Sequence, residues 1–117
     1  MTYRYNTTLN LYANAIRERY IKSFLDIHIL CLLKEEPMHG YRIITEIYER
    51  HQVFISPGTL YPRLNALEKE ELIKSQSIYV KKKKRKKIYL LTEKGSETLE
   101  ILLKALSKIQ RGALKEH

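Results

Sequence analysis

At 117 residues and 44% hydrophobic, the chain is long enough for one domain with a real core and is not disordered by composition. No run approaches the ~18 apolar residues of a membrane span, and the N-terminus lacks a signal-peptide pattern, so a cytoplasmic protein is expected. One cysteine, Cys31, excludes an internal disulfide and any multi-thiolate metal site. The net charge is +9, yet residues 81 to 87 carry seven positive charges and leave 15 basic against 13 acidic residues elsewhere. A nearly neutral domain with one basic projection points to nucleic acid or an anionic membrane surface.

Leu11, Tyr12, Ala15, Ile16 and Tyr20 have helical spacing, and Asn10 can cap them, which predicts a short amphipathic helix over about 10 to 20. Tyr3 and Tyr5 read as a frayed terminus. From Phe24 to Leu33 the wheel is apolar almost all round, so this helix needs a second covering layer, either the N-terminal segment or another subunit. Cys31 within it reads as a buried, inert thiol and His28 as a packed or partly exposed histidine rather than a ligand. His39, His51 and His117 have no metal-ligand spacing with His28.

Pro37 ends that helix, and Gly40 leads into a second amphipathic helix over about 39 to 51, with Tyr41, Ile43, Ile44, Ile47 and Tyr48 on one face. Ser56 as N-cap and Pro57 at the first helical position then open a third helix, 56 to 70. Leu60, Leu64 and Leu67 form its apolar stripe, and Pro62, which has no donor for the carbonyl of Gly58, predicts an irregular or kinked first turn. Residues 73 to 80 and 88 to 92 are strand-like, and the basic run between them makes a hairpin tip. Thr92 can cap a final helix, with Glu93 at its positive end. Leu99, Leu102, Leu106, Ile109 and Ala113 recur on it with 3-4-3-4 spacing, and Leu103 and Leu114 broaden the seam. Two heptads fall short of the ~3–4 needed to identify a coiled coil alone, but the preceding domain already has helices for its own core, so a dimerisation helix is preferred over packing on its own domain.

Helix, helix, helix, hairpin is the order of a winged helix-turn-helix. The expected fold is mainly α with a small antiparallel β-hairpin: residues 1–22 as an N-terminal extension packing at the dimer, 23–95 as the winged-helix DNA-binding domain, and 96–117 as the dimerisation helix.

His39-Gly40-Tyr41, Ser56-Pro57-Gly58-Thr59-Leu60-Tyr61-Pro62, Leu64 with Leu67-Glu68, and Tyr89-Leu90-Leu91-Thr92-Glu93-Lys94-Gly95 follow one another over about residues 24 to 95. In this order and spacing they resemble the PadR family of winged-helix transcriptional regulators, in the short form with a single C-terminal helix. The resemblance implies a homodimer on operator DNA, usually a repressor, with that last helix in the dimer interface. Three features depart from the family. Glu71 stands where glycine is common before Leu72, Leu90 occupies a strand position that is often polar, and the wing is unusually basic. The chain has no tryptophan, so a flat hydrophobic inducer held between tryptophans is not expected.

Candidate DNA contacts are Arg63 to guanine and Asn65 to adenine, either of which could instead be a solvated helix residue. Ser56, Thr59 and Tyr61 near the helix start suit phosphate, although Tyr61 could equally pack against Pro62 and the wing. Lys69 would meet backbone, and Lys81, Lys82, Lys83, Lys84, Arg85, Lys86 and Lys87 suit phosphates as a group. Tyr41, Tyr48, Tyr79 and Tyr89 read as core or rim aromatics. The expected activity is sequence-specific binding of double-stranded DNA by a transcriptional regulator, with a low-specificity architectural DNA protein or an RNA-binding protein as alternatives. No catalytic constellation, metal or cofactor is expected, and no membrane partner.

Overall fold

The computed structural model describes residues 7–79 and 85–115. In chain order it contains α1 (Thr7–Ser23), α2 (Leu25–Glu35), β1 (Met38–His39), α3 (Gly40–His51), α4 (Pro57–Lys69), β2 (Ile73–Tyr79), β3 (Arg85–Leu91) and α5 (Glu93–Leu114). Tyr3, Tyr5, Val80, Lys81, Lys82, Lys83, Lys84 and His117 lie outside the described residues. No described helix is long and apolar enough to cross a membrane.

The apolar circumference of α2 makes it the centre of the body. Leu25, Ile29, Leu30, Leu32 and Leu33 are buried, and α1, α3, α4, α5 and β3 all pack on the helix. The covering layer therefore comes largely from the same chain, which a small domain achieves by wrapping most of its elements round one helix. Cys31 is half-buried rather than fully buried. α1 is longer than its sequence pattern indicates, so Asn10 falls inside the helix and not at its cap. Phe24, at φ −109° and ψ 31°, separates α1 from α2, yet helical bonds continue across it from Phe24 N–H to Tyr20 and from His28 N–H to Phe24.

α3 and α4 form the helix-turn-helix. His39 caps α3 by accepting a bond on Nδ1 from the Arg42 N–H (3.2 Å), and Gln52 ends the helix in the left-handed region. Ser56 caps α4 in the expected way, its Oγ accepting from the Thr59 N–H (3.2 Å). Leu60 and Leu64 are fully buried and Leu67 nearly so. The helix runs unbroken through Pro62; the adjustment visible near its start is a bond from the Thr59 N–H to the Ser56 carbonyl (3.0 Å), alongside the regular one from Leu60.

The expected hairpin is the larger part of a three-stranded antiparallel sheet in the order β1-β3-β2. β1 pairs Met38 with Tyr89 and His39 with Ile88, and two residues beside Pro37 are too few to show a strand period in sequence. β2 and β3 run in register from Ile73↔Leu91 to Tyr79↔Arg85. β3 starts three residues before the expected 88, so Arg85, Lys86 and Lys87 are strand residues with fixed directions rather than part of a tip.

Between α4 and β2 the chain closes a Schellman turn. Leu72 N–H bonds the Leu67 carbonyl (3.0 Å), Glu71 N–H bonds that of Glu68 (2.9 Å), and Glu71 takes φ 63°. The departure at Glu71 thus leaves the glycine geometry in place and loads it with a side chain. Thr92 sews this turn to α5: its hydroxyl reaches the carbonyls of Glu71 (2.7 Å) and Leu72 (3.0 Å) while accepting the Gly95 N–H (2.9 Å). A Cβ at Gly95 would collide with the Leu72 carbonyl, so this close approach requires glycine.

α5 then leaves the body. Leu99 is buried and Leu102 packs on the core, but Ile109 and Leu114 stay more than 60% exposed. The radius of gyration is 16.8 Å, against about 13 Å for a compact domain of this length. Relieving the left-handed strain should outweigh the added freedom of the unfolded chain, so Glu71→Gly is expected to stabilise the fold by about 0.5–1 kcal/mol. Urea denaturation checks this: the midpoint rises while the slope stays constant.

Candidate nucleic-acid interface

Burial of Leu60, Leu64 and Leu67 fixes the roll of α4. Gly58, Pro62, Asn65 and Lys69 then face away from the core, with Tyr61 on one flank and Arg63 on the other. Asn65 lies one turn after Tyr61, and both line a notch closed by His39, Gly40 and Tyr41 at the start of α3 and by Arg85, Lys86, Lys87 and Tyr89 of β3. Tyr61 lies over Gly40, where a Cβ would overlap its hydroxyl and ring. The glycine thus lets an aromatic of α4 rest on α3.

The cations of the notch are aimed by their strand neighbours. Arg85 donates to the Tyr79 hydroxyl (3.2 Å) with its guanidinium 5.3 Å from that ring, and Lys87 sits 6.0 Å from the Tyr89 ring. Ser75 Oγ donates to Glu68 (2.6 Å), which ties α4 to β2 and turns its half-buried carboxylate inward. Tyr89 is buried as expected, whereas Tyr41, Tyr48 and Tyr79 are all more than half exposed.

The candidate residues divide accordingly. Tyr61, Asn65, Arg85, Lys86 and Lys87 converge on the notch. Lys69 is exposed further along α4. Thr59 is exposed, and the Ser56 hydroxyl is engaged in capping, donating to Thr59 Oγ1 (3.1 Å). Arg63 does not join Asn65: two residues is 200° on a helix. Its guanidinium makes a bidentate pair with Asp26 of α2, Nε to Oδ1 (2.8 Å) and Nη2 to Oδ2 (2.6 Å). Lys81, Lys82, Lys83 and Lys84 lie outside the described residues. His39 carries no role in the sequence reading although it stands in the His-Gly-Tyr motif; its site is created by β1, which sequence periodicity does not reveal.

Because His39 Nδ1 accepts the capping bond, its proton resides on Nε2 as a donor. Burial, then Lys86 and Arg42, holds His39 below the usual histidine range. His28 is lowered by burial and then by His51, whose ring meets it edge-on at 5.0 Å. Tertiary packing thus brings together two histidines that are far apart in sequence. Even so, the described residues hold no group of three His, Cys, Asp or Glu side chains able to bind a metal ion.

The sequence model described as the transcriptional regulator PadR-like family matches residues 29–101. Transcriptional regulator Rv3488 of Mycobacterium tuberculosis is 34% identical over 88 residues, covering 75% of this chain and 80% of that protein. A PadR family regulator from hypervirulent Clostridium difficile superposes with a TM-score of 0.72 at 31% identity, covering 79% of this chain and 96% of that one. Bacillus subtilis PadR in complex with operator DNA gives 0.65 at 29% identity, over 68% of this chain and 45% of that one.

His28 and His39 both bind a proton less readily folded than unfolded. As pH falls through about 6.5, the unfolded chain takes up protons first. Their contribution to stability is therefore complete above that value and is lost as pH falls through the folded values. Denaturation midpoints are expected to decline from about pH 7 to about pH 5. In His39→Asn, which keeps a capping oxygen without a titrating ring, the decline should be shallower.

Proposed function

The chain belongs to the PadR-like family of transcriptional regulators, and from that premise we propose that it acts as a homodimer on a pseudo-palindromic operator, with repression as its sense. The family is one of transcription factors, not enzymes. The observation that carries the proposal is the notch, which an amide able to read a base and three cations of β3 line together. In this reading α4 enters the major groove of double-stranded DNA, Asn65 addresses adenine, and Lys69, Thr59 and Tyr61 meet the backbone. Arg85, Lys86 and Lys87, continued by Lys81 to Lys84, hold the flanking phosphates. The likeness to a regulator solved on operator DNA supports it.

One α4 offers few base-reading groups, so useful discrimination requires two copies at fixed spacing. The means of pairing lie at the chain's two ends. Leu11, Tyr12, Ile16 and Tyr20 of α1 are exposed, as are Leu103, Ile109 and Leu114 of α5. Helices this unsupported gain from covering one another in a second copy. We assign residues 1–22 and 96–117 to that interface, with Leu99, Leu102, Leu103, Leu106, Ile109 and Ala113 as its seam on α5, and 23–95 to DNA.

Replacing Arg85, Lys86 and Lys87 together by Gln should weaken mixed-sequence and operator DNA alike. It should also flatten the dependence of log K on log salt by about 0.9 for each phosphate that is no longer neutralised. Equal salt slopes for wild type and variant would refute the assignment. Dimerisation is best probed at Leu106 and Ile109, since Leu102 also serves the chain's own core. Glu at both positions should give a folded monomer in light scattering, and a persisting dimer would count against the seam.

A further inference from the structure

Arg63 is on the reading helix yet faces away from the notch. Thr59 lies one turn earlier on the same flank, so Arg63 borders the surface assigned to DNA without belonging to its centre. Its side chain is 46% exposed, and one bidentate edge of the guanidinium is taken by Asp26, itself 36% exposed. Around the pair lie Lys22, Ile27 and Leu102. Lys22 is already matched to Glu18 (2.8 Å), which leaves the Asp26 carboxylate to Arg63.

A planar cation beside a polyanion binds phosphate regardless of base sequence. Such a contact tightens operator and random DNA together and leaves discrimination unchanged or lower. A carboxylate that occupies the fork and cancels its charge removes that contact. Exposed ion pairs contribute little to folding, so fold stability alone gives weak reason for a closed bidentate geometry here.

We propose that Asp26 limits base-independent affinity, holding Arg63 off the DNA backbone so that binding depends on the Asn65 face of α4 and the β3 cations. The inference rests on the operator reading above. It adds a residue outside the DNA-facing helix that limits affinity for DNA of the wrong sequence.

The test compares wild type, Asp26→Asn, Arg63→Gln and the double variant. The probes are a short duplex of mixed sequence and the duplex that wild type enriches from a randomised pool, each titrated between about 50 and about 200 mM salt. Asp26→Asn is expected to bind the mixed duplex roughly three- to tenfold more tightly at the lower salt, with a slope steeper by about 0.9 per protomer. The enriched duplex should tighten as well, so the ratio of enriched to mixed affinity stays the same or falls. The double variant should return to the wild-type slope, and Arg63→Gln alone should leave the wild-type slope unchanged. A wild-type slope in Asp26→Asn would overturn the proposal, as would a gain that survives in the double variant and so belongs to Asp26's charge alone. Arg63→Gln flattening the slope would do the same, because Arg63 would then already be on the DNA. Failure of wild type to bind either duplex would instead overturn the operator reading beneath it.

Discussion

Seating the Leu60–Leu64–Leu67 stripe against α2 and α3 is the interaction on which the rest of the structure depends. Burying three leucines contributes at most about 5–9 kcal/mol, comparable with the whole stability of a small domain. The same burial sets the roll of α4, because one residue of rotation would move every side chain by 100°. With the stripe in place, Asn65 and Tyr61 turn toward β3 and Arg63 toward Asp26. Core packing therefore decides which polar groups reach the notch.

A second constraint joins α4 to the sheet and to α5. The left-handed Glu71, the Thr92 hydroxyl across the same turn, and the bare Cα of Gly95 against Leu72 bring three elements to one point. Lys94 Nζ adds a bond to the Glu70 carbonyl (2.9 Å). The end of the reading helix, the start of β2 and the beginning of the projecting helix are thus held by short, directional contacts. In a dimer this junction would transmit the placement of α5 to α4, so that the spacing of two copies follows from local geometry.

Much of the fold was legible because its periodicities were strong. The stripe of α4, the caps at Ser56 and Thr92, the all-round apolar α2 and the β2–β3 pair follow from residue pattern and capping chemistry. What escaped was tertiary. β1 is two residues long and exists only because β3 offers an edge, and with it came the placement of His39 in the site. The basic run read as one block, but pairing of Tyr79 with Arg85 makes Arg85, Lys86 and Lys87 strand residues. For Arg63 the wheel alone showed a flank position; only the folded position of α2 revealed Asp26 as its partner. The cover that α2 draws from its own chain was equally hidden, since pattern shows how much surface must be covered and not which chain covers it.

Charge and shape have separate tasks here. In the proposed reading the cations of β3 hold phosphates while the short polar face of α4 distinguishes sequences, and both border one notch. The central claim is that these two surfaces meet DNA together. Amide chemical-shift mapping on adding the wild-type-enriched duplex tests it most directly. Concerted shifts are expected for Thr59, Tyr61, Asn65 and Lys69 of α4 and for Arg85 to Lys87 of β3, with Ile101 to Leu114 of α5 unmoved. Shifts confined to β3, or centred on α1 and α5, would contradict it.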